Sequence, residues 1–394
     1  MFFCPLLRFL LPQLLVAATI LVVGTMACAP QSRLQEDSQD FQEEVARLER
    51  KIAENPSDTR ALRDLGAIHM RTKRTAKGHR YLRKAFTPDQ NDPKTLFYLG
   101  IASERIGKRQ TAQRLYAKYA GVPEDSRFRT LLRGRHEALV RREIRQKMSA
   151  LMVQGKTLDT FPNVVAVLPL IYQGDNERYA SLGHGLSKII AADLANVEEF
   201  TLVNRFRLQS LLDEIKLSQS EYINPSTAPR IGQLLGAGRV VVGTFNVSDN
   251  ETLRIDLALV DPDETTGAVH NLKTYSEALN ELFQLEQQVI FRVVDQLGAE
   301  LSAGEREQIE RMPTRNLQAF LAYSRGLAAE AQGNYKAAAQ AFQRSQELDP
   351  GFSQAADKQE AAAGLSTAGE GTTQALQAAP DLSSLSQQVD LTKN

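Results

Sequence analysis

Cysteine is nearly absent from the 394-residue sequence, and its two occurrences, Cys4 and Cys28, both fall within the first thirty residues. Because the rest of the chain contains no cysteine, it cannot form a disulfide framework, a thiolate metal site or a cysteine nucleophile. A chain without disulfides has to be held by ordinary packing, which a chain of this length can supply.

The sequence also lacks net charge, because Lys plus Arg and Asp plus Glu each total 47. No overall field would hold a polyanion, so protein partners are expected and nucleic acid is not. One segment carries a local excess of positive charge, from Arg127, Arg129, Arg133, Arg135, Arg141, Arg142, Arg145 and Lys147. We predict a helix with a solvated basic face there. The alternative is a surface that meets anionic lipid or an acidic partner.

Motifs of known catalytic sites are missing as well. The sequence has no GxSxG, HExxH or P-loop pattern, and its histidines lack ligand spacing: His69, His79, His136, His184 and His270. Gly183-His184-Gly185 reads as a turn rather than an anion-binding loop. The adjacent carboxylates Asp213 and Glu214 read as a solvated helix face rather than an acid/base pair. We predict no catalytic residue, no cofactor and no metal site.

The amino terminus has the order of a secretory signal, with Arg8, an apolar run from Phe9 to Val23, and small residues before Cys28. The stretch Gly24-Thr25-Met26-Ala27-Cys28 resembles the lipobox of bacterial lipoproteins, although that family usually has Leu where this chain has Thr25. The resemblance implies cleavage after Ala27, acylation of Cys28 and a body outside the cytoplasm. The absence of Asp directly after the cysteine favours the outer membrane by the same resemblance. The alternative is an uncleaved membrane helix.

These features predict a signal peptide over 1–27 and a polar tether over 28–44.

Helical repeats are indicated on both sides of the chain's centre. Leu65-Gly66 and Leu99-Gly100 stand 34 residues apart, and a unit of the same spacing runs from Phe320 to Pro350. These positions resemble the tetratricopeptide repeat over 59–125 and 319–352. We assign 45–150 to repeat helices with the basic connecting helix, and 315–360 to a carboxyl-terminal repeat.

Two adjacent units are fewer than a free-standing solenoid needs, so they should lean on the basic helix, the central domain or another copy. Their concave face would bind a peptide or partner helix, or would simply pack on the core. Both readings remain open.

The pattern changes at Phe161, where continuous apolar runs and alternating segments replace the helical period. We predict the order βαβααβββα, with strands at 164–170, 200–203, 240–247, 253–260 and 269–277. The overall fold class is α+β multidomain, in which helical repeats flank a mixed-sheet α/β domain.

The central region has a resemblance of its own, which four stretches carry: VAVLPL, LVNRFRLQSLLDEIKLSQS, IGQLLGAGRVVVGTF and LRIDLALVDPDETTG. Over 161–302 the chain resembles the periplasmic core shared by curli-secretion CsgG proteins, TolB amino-terminal domains and lipoprotein activators of penicillin-binding proteins. The resemblance implies an envelope assembly role without enzymatic activity. The links at 248–251 and 261–267 are too short for the membrane hairpins of a CsgG-type pore. The soluble core could still form a ring.

The segment 361–394 is rich in Ala, Gln, Ser, Thr and Gly and is predicted to be disordered. Together these patterns predict a lipid-anchored periplasmic scaffold or adaptor for assembly or transport at the outer membrane. It would bind envelope proteins through its repeats and could form a homo-oligomer. The alternatives are an activator of a cell-wall synthase and a subunit of a CsgG-type secretion channel.

Overall fold

A computed structural model describes residues 31–215, 227–262 and 269–380 of the chain. The predicted signal peptide, its cleavage site after Ala27 and the attachment residue Cys28 lie outside these ranges, as does 381–394. Within them, no helix combines the length and the apolar character needed to cross a membrane.

Six helices precede the sheet: α1 Gln31–Glu54, α2 Thr59–Arg71, α3 Thr75–Phe86, α4 Pro93–Arg105, α5 Arg109–Tyr116 and α6 Arg127–Val153. The segment predicted as a tether is helical from Gln31 onward. The pairs α2/α3 and α4/α5 form helical hairpins, as the repeat spacing predicts. Asp58 and Asp92, also 34 positions apart, cap α2 and α4 by accepting hydrogen bonds from backbone N–H groups at 2.9 and 2.8 Å.

The packing inside each hairpin explains the repeated glycine. A Cβ at Gly66 would lie 2.6 Å from Leu82 Cγ, and one at Gly100 would lie 2.3 Å from Tyr116 Cε1. In both units the large residue follows its glycine sixteen positions later. The first helix of each pair therefore accepts a large side chain of the second helix at the one position without a Cβ.

The sheet contains seven described strands: β1 Phe161–Val167, β2 Ile171–Tyr172, β3 Thr201–Leu202, β4 Ala237–Val247, β5 Thr252–Val260, β6 Val269–Asn271 and β7 Tyr275–Ala278. The order is β3-β1-β4-β5-β6, with β2 on β4 and β7 on β5. β1 is parallel to β3 and β4, whereas β4 and β5 form an antiparallel hairpin. This mixed sheet confirms the predicted fold class.

Two strand predictions need correction. The run predicted at 164–170 begins at Phe161 and stops at Val167, because Pro169 has no N–H with which to continue a ladder. The strand predicted at 269–277 is two short strands, β6 and β7, which pair with different parts of β5.

Helices cover both faces of the sheet: α7 Leu182–Leu194, α8 Arg205–Ile215, α9 Ala228–Leu235, α10 Leu282–Leu297 and α11 Ala303–Glu310. Val165 and Val167 of β1 join the apolar cluster under α7 and α10, while Ala166 joins the cluster under α8 and α9. Such two-sided burial accounts for the continuous apolar run in the sequence. α10 ends at Leu297, where Gly298 adopts φ +82 immediately after it.

Four further helices follow: α12 Leu317–Ala331, α13 Tyr335–Leu348, α14 Ser353–Ala368 and α15 Thr372–Ala378. In α12 and α13 the repeat packing recurs, because a Cβ at Gly326 would lie 2.4 Å from Phe342 Cε1. Phe342 also belongs to the main apolar cluster of the α/β domain. The carboxyl-terminal repeat and the α/β domain thus share one core.

The prediction of disorder from Ala361 is wrong for the part of that segment that the structure describes. α14 continues to Ala368, α15 follows it, and Leu365 and Leu376 are buried. The alanines that give the segment its biased composition are mostly contact residues, since small side chains let α14 approach α6 closely.

Candidate functional site

α6 connects the three parts of the molecule. It packs against α4 and α5 of the amino-terminal repeats, against α14, and against α8 of the α/β domain. Leu131 and Leu132 lie in the apolar cluster of the amino-terminal repeats, whereas Met148 lies in the cluster under α8 and α9. The two repeat blocks therefore meet in space, and α6 is the support that the amino-terminal pair was expected to need.

The basic face of α6 is only partly solvated, which corrects the prediction. Arg129 pairs with Glu360 at 2.7 Å, and Arg133 pairs with Asp357 at 2.6 Å and also with Glu360. The other half of the basic set remains exposed: Arg127, Arg142, Arg145 and Lys147. Arg129 and Glu360 are 231 positions apart, so no local pattern could have shown that they pair.

Two further arginines of α6 are also engaged within the chain. Arg135 is fully buried, pairs with Glu104, and donates to the backbone oxygen of Ala368 at 2.8 Å. Arg141 pairs with Glu330 of α12 at 2.6 Å. The sequence left open an acidic partner for the basic residues of α6. For this half of α6, the chain itself supplies that partner.

Glu330 is the centre of the junction between the repeats and the α/β domain. Its carboxylate is 5% exposed and lies 2.6 Å from Arg141, 3.1 Å from Lys358 and 3.9 Å from Arg205. Burial alone would raise the pKa of this carboxyl, but the three cations lower it to about 2. A single ionised glutamate thus holds α6, α8 and α14 against α12.

The start of α8 is fixed at the same junction. The Asn204 side chain accepts hydrogen bonds from the backbone N–H groups of Phe206 and Arg207 at 2.9 and 3.3 Å. Arg205 donates to the backbone oxygen of Leu327 at 3.2 Å. The guanidinium of Arg141 lies 3.9 Å from the centre of the Phe206 ring. Asn204-Arg205, part of the sequence resemblance, therefore serves to dock α8 on the carboxyl-terminal repeat.

Two clefts flank α8. One, of about 280 Å³, is lined by Arg141, Arg145, Phe206 and Tyr335 among others. The second, of about 220 Å³, is lined by residues that include His184 and Lys188. Burial lowers the pKa of His184 to about 4, so this ring is neutral at pH 7. The first cleft thus combines cationic and aromatic side chains.

The adjacent carboxylates Asp213 and Glu214 both accept hydrogen bonds from within the chain. Asp213 accepts from Gln209 at 2.8 Å and Glu214 accepts from Ser149 at 3.1 Å, both on an exposed face. The segment predicted as a turn at 183–185 lies in the first turn of α7. Among the residues that the structure describes, no cluster of His, Cys, Asp and Glu could hold a metal ion.

Sequence reasoning missed a buried pair of carboxyls between α7 and α10. Asp193 and Glu286 are 7% and 4% exposed and share a hydrogen bond. Burial raises the pKa of both groups, that of Asp193 to about 6 and that of Glu286 well above its usual value. Both residues are buried in the core, and neither lines the two clefts beside α8.

Two family models match this chain. The model described as curli production assembly/transport component CsgG matches residues 170–307, and the tetratricopeptide repeat model matches residues 319–352. They confirm the resemblance of the α/β domain to CsgG and the resemblance of residues 319–352 to a tetratricopeptide repeat. The CsgG match starts and ends later than the 161–302 expected from the sequence, so it begins after β1 and ends within α11.

Three solved structures are also similar to this chain. The LpoB carboxyl-terminal domain from Salmonella enterica is 20% identical, with a TM-score of 0.25, and covers 34% of this chain and 95% of that one. A tetratricopeptide repeat protein from Parabacteroides merdae is 13% identical, with a TM-score of 0.24, and covers 84% and 98%. Yeast Tom70 is 15% identical, with a TM-score of 0.24, and covers 81% and 61%. No curated protein matches the chain.

Proposed function

We propose that this protein is a lipid-anchored periplasmic scaffold that helps to assemble or position a protein machine at the outer membrane. The observation that carries the proposal is a CsgG-like domain braced by α6 between two blocks of repeat helices. Such an arrangement presents several docking surfaces in fixed relative positions. The role is binding rather than catalysis.

Attachment would occur through Cys28. The sequence around it resembles a lipobox, and the rest of the chain contains no other cysteine apart from Cys4. Acylation at Cys28 would place the folded body beside a membrane, with envelope proteins within reach. One or more of those proteins, or another copy of the chain, would be the partner.

Affinity purification from bacterial membranes tests both parts of the proposal. The wild-type chain should incorporate labelled fatty acid and co-purify envelope proteins or another copy of itself. Cys28→Ala should lose the label and leave the membrane fraction. Cys4→Ala is the matched control, because it removes the other thiol and should leave acylation unchanged.

A labelled Cys28→Ala chain would contradict the anchor, and a strictly monomeric wild-type chain that captures nothing would contradict the scaffold. Stimulation of glycan polymerisation by the purified chain would instead favour the alternative from sequence, an activator of a cell-wall synthase.

A further inference from the structure

The last described residues return to the amino-terminal repeats. α15 lies against α4 and α6, and its buried side chains Ala375 and Leu376 join the apolar cluster of α2 to α6. Ala379 is 5% exposed in the same cluster, whereas Thr373 and Gln377 are exposed and line a cleft with arginines of α2 and α4. The segment is therefore partly buried against the repeats and partly open to solvent.

Arginines from three helices contact this segment and the end of α14 that precedes it. Arg71 of α2 donates to the backbone oxygens of Ala379 and Pro380 at 3.2 and 2.7 Å. Arg135 of α6 donates to those of Ala368 and Gly369 at 2.8 and 3.0 Å.

Arg105 of α4 completes the set, since its Nε donates to the Thr372 hydroxyl at 3.1 Å. α2 and α4 are the first helices of the two hairpins, and α6 follows the second hairpin. They therefore present one common face, which we call the α2–α4–α6 face and which carries Arg71, Arg105 and Arg135.

The contacts that the α2–α4–α6 face makes go mainly to backbone oxygens and small apolar side chains. Most of the arginine contacts go to carbonyl oxygens at helix ends, which have no partner inside a helix. The buried side chains are two alanines and one leucine. A short helix with a small apolar side and free carbonyls at its end would satisfy the same contacts.

The segment that covers this face is short, and a short link joins it to α14. The link from α14 to α15 is Gly369-Glu370-Gly371, and α15 spans only seven residues. A helix of that length is marginal in isolation, so its helicity depends on the surface that it covers. We therefore expect it to leave the α2–α4–α6 face without unfolding either repeat block.

We propose that the α2–α4–α6 face is a peptide-binding site and that residues 371–380 are its intramolecular ligand. A partner helix with a small apolar side displaces this segment when it binds. The inference rests on the proposed function in one respect, namely that the repeats receive a partner protein. It adds the chemistry of that partner and the means by which the empty site is protected.

The test uses the full chain and a fluorescent peptide that spans residues 369–380. Leu376→Asp should release α15, because a carboxylate cannot enter the apolar cluster. Gln377→Asp adds the same charge at the neighbouring exposed position, beside the arginines but outside the apolar cluster, and is the matched control. A tethered ligand acts at an effective concentration in the millimolar range. Leu376→Asp should therefore bind the peptide at least about tenfold more tightly than the wild-type chain and Gln377→Asp.

Ala375→Glu provides a second way to open the face if Leu376→Asp fails to fold. Adding Arg71→Ala to the opened chain should remove the gain in peptide affinity, which locates the binding on this face. Equal affinity of the opened variants and the wild-type chain would overturn the proposal. A wild-type dimer that exchanges its carboxyl-terminal segment, detected by cross-linking Thr373→Cys to a second copy, would overturn the intramolecular assignment. These measurements require neither membrane nor anchor, so their failure is distinguishable from failure of the proposed function.

Discussion

Gly134 of α6 and Gly364 of α14 are in direct backbone contact. A Cβ at Gly134 would lie 2.0 Å from the carbonyl oxygen of Gly364, and one at Gly364 would lie 2.8 Å from the backbone nitrogen of Gly134. The ion pairs of Arg129 and Arg133 with Glu360 lie one turn away on the same two helices. The crossing joins the two repeat blocks, and its closeness depends on both glycines.

Gly134→Ala should weaken this crossing. The added methyl group meets backbone atoms, which cannot rotate away, so we expect a loss of at least about 2 kcal/mol in the free energy of unfolding. Thermal unfolding should show a fall in Tm of about 4 °C or more. Gly304→Ala is the matched control, because nothing lies within 4 Å of a Cβ there. Equal melting of the two variants would contradict the role of the crossing.

Local patterns predicted the elements of the fold well. The spacing from Gly66 to Gly100 predicts helical hairpins, and the apolar run at Val164 predicts a strand buried on both faces. The structure contains both. Period and residue size act over a few neighbouring positions, so they are legible in a single sequence.

The junction itself could not be predicted in this way. Glu330 and Lys358 are ordinary charged residues of amphipathic helices until Arg141, 189 positions earlier, is brought against them. The prediction of disorder for the alanine-rich segment after Ala361 was wrong for a similar reason. Its composition suits both a solvated tail and a tight helix contact, and only the presence of α6 decides between them. Asn204, Arg205 and Phe206 are the residues of the junction that lie in a stretch resembling CsgG.

Glu330→Gln should destabilise the junction. The substitution leaves Arg141 and Lys358 near a neutral amide in a buried place, and breaking a buried pair costs about 3–5 kcal/mol. Chemical denaturation at pH 7 measures the loss. Glu307→Gln is the control, since Glu307 pairs with Arg311 at 2.8 Å on an exposed surface and should contribute less than about 1 kcal/mol.

The same variant has a signature in acid. The folded-state pKa of Glu330, about 2, lies below the usual value of a glutamate, so its stabilisation is present above about pH 4.5 and is lost as the pH falls toward 2. The difference between wild type and Glu330→Gln should shrink over that range. A difference that stays constant from pH 7 to pH 3 would show that the charge of Glu330 is not what stabilises the junction.

Lys73→Gly should stabilise the first repeat. Lys73 has φ +60, and the equivalent turn positions of the other two units are Gly107 at φ +81 and Gly333 at φ +74. A lysine is strained in this left-handed conformation, whereas glycine adopts it readily. We expect a gain of about 0.5–1 kcal/mol in urea unfolding. Lys84→Gly, inside α3, should lose about 1 kcal/mol instead. A loss in both variants would argue against strain at Lys73.

Asp193→Asn should change how stability depends on pH. The pKa of Asp193 is raised to about 6 in the folded protein, so the folded state retains a proton that the unfolded chain releases near pH 4. The stabilisation is complete below about pH 4 and is lost as the pH rises through 6. Asparagine is neutral throughout, so the variant should gain stability relative to the wild-type chain between pH 4.5 and pH 7.5, measured by urea midpoints. Asp295→Asn, which removes an exposed carboxylate, is the control for the loss of one negative charge. Parallel profiles for wild type and Asp193→Asn would mean that Asp193 titrates as an ordinary carboxyl and that burial beside Glu286 does not hold its proton.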